Sequence, residues 1–443
     1  MVQPILYSLF REGRVQQLLE LVKELHPADL VDSLHEFSLE EQERFFLLIP
    51  HEQSAIIMQE MEVPEAAAVL ERLPVGTAAE ILKEMYSDEA VDILAELPKE
   101  RAAKLLTLMK EAGEELKELM AYEEDTSGGL MATEFVAIPE NLTVGGTLAY
   151  LRKVAPSAEN AYYIYVVTRD KKLVGVISLR ELVVAPLETR VGQIMHRKVV
   201  KVPEDLDQEE VAQLFEKYSL LVLPVVDKED RLVGVITVDD VIAIAKEEAT
   251  EDIHKTGSVT PLRTSYKSAG VLTLYTKRVG WLLALVFINL ISSGIIAVFE
   301  ETLNAAMILA FFIPLLIDTG GNTGSQAATL VVRALVTEDI KPGKWFKTFC
   351  KELLVGTLLG LTLGTAGWLL GVFRGGALIG VIIGLTMLAI VIIANLVGVV
   401  LPFILTKLRL DPAVASSPLI TTIMDALGLL TYFTIAQIFL SLF

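Results

Sequence analysis

A carboxylate inside an apolar stretch is the most chemically demanding feature of this sequence. Asp425 lies in Ser416-Ser417-Pro-Leu-Ile-Thr421-Thr-Ile-Met-Asp425-Ala-Leu-Gly, with no basic residue in the same apolar run. At a bilayer centre such a group costs roughly 2.5–3.5 kcal/mol on insertion scales, so it must face water, an ion or a partner, or sit protonated or hydrogen-bonded inside a bundle. A second polar interruption reads Pro314-Leu-Leu-Ile-Asp318-Thr-Gly-Gly321-Asn322-Thr-Gly324-Ser-Gln326. Its glycines and proline are expected to loosen the helix and free backbone carbonyls, which is tolerated only where they line a cavity or are buried in protein. Carboxylates, amides, hydroxyls and carbonyls are hard oxygen ligands, suited to Mg²⁺, Ca²⁺ or Mn²⁺ rather than copper or structural zinc. Mg²⁺ gives up its water reluctantly, so a pore can hold the hydrated ion with one or two carboxylates. One chain supplies a single Asp425. A symmetric dimer would bring two copies to a central axis, attracting a divalent cation and repelling anions. These ligand types do not separate Mg²⁺ from other hard divalents.

The elements that must hold these residues are apolar stretches at about 279–299, 303–334, 349–372, 375–406 and 414–441. A spanning helix needs about 20 apolar residues, so five membrane helices are expected. Arg263, Lys267, Lys277 and Arg278 precede the first stretch, Lys341, Lys344, Lys347 and Lys351 lie around the join of the second and third, and Lys407 and Arg409 follow the fourth. The other side carries Glu300, Glu301 and Arg374. The excess of positive residues predicts a multi-pass cell (inner) membrane protein with its N-terminal half cytosolic and its C-terminus outside. Glycines every four residues, at 356, 360 and 364 and again at 380 and 384, allow close packing between helices.

The region before the membrane is strongly acidic. Residues beyond 252 hold 13 Lys/Arg and 8 Asp/Glu of the chain's 38 and 57, which leaves 25 and 49, a net of −24, in 1–252. Such a surface repels nucleic acid and attracts cations, or is simply a solvated face. A single cysteine, Cys350, excludes an intramolecular disulfide and a Cys-based zinc site. No nucleophile–base set or Walker-type loop is present, so an enzyme is not expected.

Residues 1–125 have helical periodicity and a repeat: Leu48-Ile49-Pro50, Arg72-Leu73-Pro74 and Glu96-Leu97-Pro98 place a proline every 24 residues. Each proline marks a helix boundary, giving a small helical solenoid. Asp88 and Asp92, four apart, share one helix face, where they repel; a divalent cation would relieve that, and a solvated face would tolerate it. A second duplication has an offset of 59. Val166-Val167-Thr-Arg-Asp-Lys-Lys-Leu173-Val-Gly-Val-Ile177 returns as Val225-Val226-Asp-Lys-Glu-Asp-Arg-Leu232-Val-Gly-Val-Ile236. Each copy reads strand, polar turn, strand, helix. The region 131–248 resembles a tandem pair of CBS domains. Such pairs often bind adenine nucleotides, with a Ser/Thr followed three residues later by Asp as the ribose-contacting pattern. The second copy has Thr237-Val-Asp-Asp240 and the first Ser178-Leu-Arg-Glu181. Either acid can instead cap the helix that follows.

Residues 240–276 read as a helical segment running into the membrane region. The full order of parts, with the Pro-x-x-x-Asp-x-x-Gly-Asn-x-Gly-x-Gln and Ser-Pro-Leu-Ile-Thr-Thr-Ile-Met-Asp segments, resembles the MgtE family of magnesium channels. The resemblance implies a multidomain fold: an all-α helical-repeat N-domain (1–128), an α/β tandem CBS pair (129–190 and 191–248), a connecting or plug helix (249–276) and a five-helix transmembrane pore domain (277–443). It implies a homodimer set in membrane lipid that imports Mg²⁺, with Asp425 holding the hydrated ion and Asn322 and Thr421 lining the pore. It also implies that cytosolic Mg²⁺ bound among N-domain, CBS pair and connecting helix closes the channel. Acids matching those sites are Asp88, Asp92, Asp207, Glu209, Asp240, Glu248, Glu251 and Asp252, with Asp411 on the membrane side. ATP is a further expected ligand, with Tyr163, Arg180 and Glu181 at its cleft. The competing reading is a secondary active transporter of divalent cations with Asp425 as a proton site.

Overall fold

A computed structural model describes residues 3–154, 162–262, 266, 269–337, 339–340, 343 and 345–442. Arg263, Lys267, Lys341 and Lys344 lie outside them. The chain divides into two compact units, Met1–Lys246 and Glu247–Phe443.

In the first unit ten helices, from Gln3–Arg11 to Glu111–Leu119, precede the sheets. Pro50, Pro74 and Pro98 each stand immediately before a helix, at His51, Val75 and Lys99, where a missing N–H costs nothing. The helices between them start at Leu39, Val63 and Ser87, so the 24-residue repeat is a helix pair. Ser38 and Glu41 close a capping box on the first of these. Each unit of the repeat buries the residue before its proline, Ile49, Leu73 or Leu97, in one continuous apolar core. No single pair could enclose such a core alone.

The duplicated region forms two three-stranded sheets of matching topology. Ala137–Pro139 pairs parallel with Tyr163–Val167, which pairs antiparallel with Leu173–Ser178. Val202–Pro203, Val222–Val226 and Leu232–Thr237 repeat this 59 residues on for the last two strands, including the bulge between Val166 and Val167, which returns between Val225 and Val226. Gly175 and Gly234 are matched as well: a Cβ at either would sit 2.6 Å from the sulfur of Met195 or Met131.

The helix after the second sheet, Val238–Thr256, does not continue to 276 as the sequence suggested. It stops before Gly257, Ser258 takes a left-handed φ of 57°, and the next helix begins at Val271. The 249–276 connecting helix is therefore corrected to a helix that ends at Thr256, followed at 257–262 by non-helical residues that include Pro261.

The second unit carries long apolar helices: Val271–Val298, Ile313–Val336, Trp345–Lys407 and Ser417–Leu442. At 1.5 Å per residue the 63-residue helix would be about 95 Å long, roughly three times a bilayer's hydrocarbon core. It reverses at Gly376, whose φ of 82° only glycine adopts without strain. A Cβ at Gly360, Gly364 or Gly371 would meet Leu388, Gly384 or Gly380, so 345–375 and 377–407 are an antiparallel pair in close contact. Five helices long enough to span result, with the small residues on facing surfaces.

The second of them corrects a further expectation. Ile313–Val336 is an unbroken α-helix, with Pro314 in its first turn, where it removes no hydrogen bond. Its glycines free no carbonyls. They admit neighbours: a Cβ on Gly320 would lie 2.7 Å from Ile390, on Gly321 2.8 Å from Thr421 and on Gly324 2.8 Å from Ile420. On the fourth helix, Gly398 faces the Gly324 carbonyl so closely that a Cβ would sit 2.3 Å from that oxygen. Backbone cannot swing aside as a side chain can, so Gly398→Val is expected to destabilise the membrane unit by about 3 kcal/mol or more. Thermal unfolding of the detergent-solubilised variant at wild-type stability would contradict this packing.

Candidate functional site

Within the membrane unit the second and fifth spans pack antiparallel along a polar seam. Ser417 Oγ donates to Ser325 Oγ at 2.9 Å, and one turn on the Thr421 methyl fills the space left by Gly321. Continuing this register by one more turn sets Asp425 level with Ile317 and Asp318. Asp425 is half-buried, and among the described residues its carboxylate has no hydrogen-bond or ion-pair partner. Asp318 is exposed and accepts a hydrogen bond from Asn322 Nδ2 at 3.0 Å. Asn322, Ser325, Gln326 and Thr329 line a groove of about 460 Å³ with Leu330. With Asp318 these polar residues fall at i, i+4, i+7, i+8 and i+11, a single stripe along one side of the helix. Of the three pore candidates, Thr421 and Asp425 share one face of the fifth span and Asn322 lies on the stripe of the second. Asp318, Ser325 and Ser417 belong to the same surface. Their signal in the sequence was the helical spacing of polar residues, which reading the segment as a loosened helix concealed.

Acidic residues of the first unit form a separate group. Asp88 is buried and accepts the Glu89 N–H at 2.8 Å, while Asp92 is exposed one turn later. Glu89, which the sequence reading passed over, has its carboxyl pushed up to about 8 by burial first, and then by Asp92, Asp240, Glu60 and Asp239. Asp240 is also raised by burial, opposed by hydrogen bonds from the Thr237 hydroxyl at 2.6 Å and N–H at 3.2 Å. The Ser87–Glu96 helix of the N-domain and the first turn of Val238–Thr256 thus share one field of negative charge around Glu89. Asp207 stands elsewhere, as the N-cap accepting Glu209 N–H at 2.9 Å. Among the described residues no three His, Cys, Asp or Glu side chains converge as a direct metal cage.

In the second unit Lys255 bridges two of the candidate acids, Asp411 at 2.6 Å and Glu251. Those bonds hold its ammonium above the usual lysine range despite burial. Asp252 is raised by burial and by Asp411. Asp411 also caps the turn before the fifth span, accepting Ala413 N–H at 2.7 Å, and Ser258 and Ser416 share a buried hydrogen bond of 2.6 Å. Glu248 is half-buried on the same helix.

The cleft candidates are unequal. Tyr163 is half-buried and Arg180 is exposed. Glu181 is engaged: Ser178 N–H and Oγ donate to its Oε2 at 3.0 and 2.8 Å, and Oε1 pairs with His196 at 2.6 Å. Burial opposes its ionisation, but the bonds from His196 and Ser178 prevail and hold its carboxyl down to about 2. Glu181 and Asp240, 59 apart, both serve as caps.

Comparison with known proteins bears on these groups together. Residues 313–435 match a family model described as a divalent cation transporter, 25–125 the MgtE intracellular N domain, and 127–188 and 191–247 the CBS domain. The magnesium transporter MgtE of Thermus thermophilus is 44% identical over 98% of this chain and 98% of its own length. That of Bacillus subtilis is 33% identical over 98% of this chain and 96% of its own length. Crystal structures of the soluble part of a magnesium transporter (TM-score 0.54, 35% identity) and of the cytosolic domain of the Mg²⁺ channel MgtE in complex with ATP (TM-score 0.52, 42% identity) cover 56% and 54% of this chain and 98% of each of those chains.

Proposed function

This chain belongs to the MgtE magnesium transporter family, and on that premise we propose that it is a homodimeric, Mg²⁺-selective channel closed by Mg²⁺ on its cytosolic side. The carrying observation is the polar seam of the second and fifth spans, whose register leads to Asp425, without a partner among the described residues, inside an apolar bundle. A two-fold axis along that seam would set two Asp425 carboxylates facing each other, a field that holds a divalent cation. Asn322 and Thr421 would supply amide and hydroxyl oxygens to the water shell that Mg²⁺ keeps. The acidic region before residue 252 lies in the cytosol in this reading, and the C-terminus lies outside.

Closure follows from the charge field around Glu89. Without Mg²⁺, Asp88, Asp92, Asp240 and their neighbours repel and the N-domain is held less firmly on the CBS pair. Mg²⁺ among those carboxylates screens the repulsion and favours the compact arrangement, by no more than its differential affinity for the two states. Asp207 and Glu209, and in the second unit Glu248, Glu251, Asp252 and Asp411, extend the same principle. Limited proteolysis of the full chain is expected to slow in the first unit as Mg²⁺ is added; equal cleavage with and without it would sink this part of the reading.

For ATP the supporting features are the exposed Arg180, suited to phosphate, and Tyr165, whose buried hydroxyl has no partner among the described residues. Tyr163 and Arg180 would contribute to the cleft, whereas Glu181 would have to release Ser178 or His196 to reach a ribose.

A further inference from the structure

The polar stripe of the second span begins with a charge that the Asp425 reading leaves unused. Asp318 is exposed on a membrane helix, one turn nearer that helix's start than Asn322. A carboxylate there is costly against lipid, so its surroundings must be wet or charged. Two facts fix which way it points. It heads the stripe that continues through Asn322, Ser325, Gln326 and Thr329 along the groove. Its Oδ2 is tied to Asn322 Nδ2 at 3.0 Å, which leaves Oδ1 free for water or an ion. The seam register, Ser417 beside Ser325 and Thr421 beside Gly321, brings it to the level of Asp425 on the neighbouring span. Because the second span runs inward from the external side in the reading above, Asp318 meets an arriving cation before Asn322 does.

We infer that Asp318 is a second pore carboxylate that concentrates hydrated divalent cations beside Asp425, so that the dimer presents four carboxylates at one level. The inference rests on the pore reading but assigns a separate quantity to each residue. Asp425 governs whether the ion passes; Asp318 governs how much external Mg²⁺ is needed. Asn322 acts as its positioning residue by fixing one carboxylate oxygen.

The test is Mg²⁺ current through the full-length dimer as a function of external Mg²⁺. Asp318→Asn is expected to shift the half-saturating concentration about tenfold upward, the effect of losing one charge per protomer near the ion path. Asp318→Glu should restore most of the shift, and both variants should elute from size exclusion as wild type does. An Asp318→Asn titration superposable on wild type, with Asp425→Ala silent, overturns the inference and leaves the pore reading standing. Normal current through Asp425→Ala overturns both.

Discussion

Asp425→Asn is expected to reduce Mg²⁺ flux by roughly 100-fold while the protein still folds and assembles. The substitution keeps shape and removes charge, so it isolates electrostatics from packing. A unit charge pair about 4 Å apart is worth roughly 4 kcal/mol at an effective dielectric of 20, and less across the water shell that Mg²⁺ retains. Half of that figure is about 30-fold, and two protomers lose the charge together. Asp425 has no partner among the described residues, so its removal leaves no orphaned donor to destabilise the bundle. Uptake followed with a Mg²⁺-sensitive dye in proteoliposomes gives the flux. Wild-type uptake would remove Asp425 from the ion path.

Neutralising the acidic group of the first unit has the opposite sense, because it mimics bound cation. Asp92→Asn combined with Asp240→Asn is expected to protect the Ser87–Glu96 helix from hydrogen exchange without Mg²⁺ and to abolish further protection on adding it. The pH dependence follows from Glu89. Its carboxyl, ordinarily at 4.5, lies near 8 in the folded arrangement, so that arrangement binds a proton which a separated one does not. Below about pH 4.5 the group is protonated in both and the stabilisation is fully present; it is lost as pH rises through the window to about 8. Asp240 shifts in the same direction. Protection of this helix should therefore fall across that range without Mg²⁺ and stay level with it. A flat profile without Mg²⁺ would contradict the repulsion on which closure depends.

Several of these groups could be read from sequence because their physics is local. Prolines at 50, 74 and 98 mark helix starts whatever surrounds them, and the 59-residue duplication returned with the same strands and the same bulge. Asp425 was legible because no apolar run carries a bare carboxylate without a reason. What escaped depended on neighbours far along the chain. Gly320, Gly321 and Gly324 look like helix breakers until Ile390, Thr421 and Ile420 are seen filling the spaces they leave. Asp318 looks like part of a break until the helix is continuous and its stripe appears. Glu89 carries no local signal beside Asp88 and Asp92, because burial and the approach of Asp240 are tertiary facts. The join after Thr256 was misjudged for another reason: good helix formers run up to Gly257, and the left-handed Ser258 beyond it carries no strong local signal.

The central claim is tested most directly by single-molecule electrophysiology on the full-length protein, with Mg²⁺ varied on the cytosolic side alone. The account predicts unitary Mg²⁺ currents whose open probability falls steeply as cytosolic Mg²⁺ rises, with unitary conductance unchanged at low occupancy. Uptake without unitary currents, driven by a proton gradient and indifferent to cytosolic Mg²⁺, would contradict it and favour a secondary active transporter with Asp425 as its proton site.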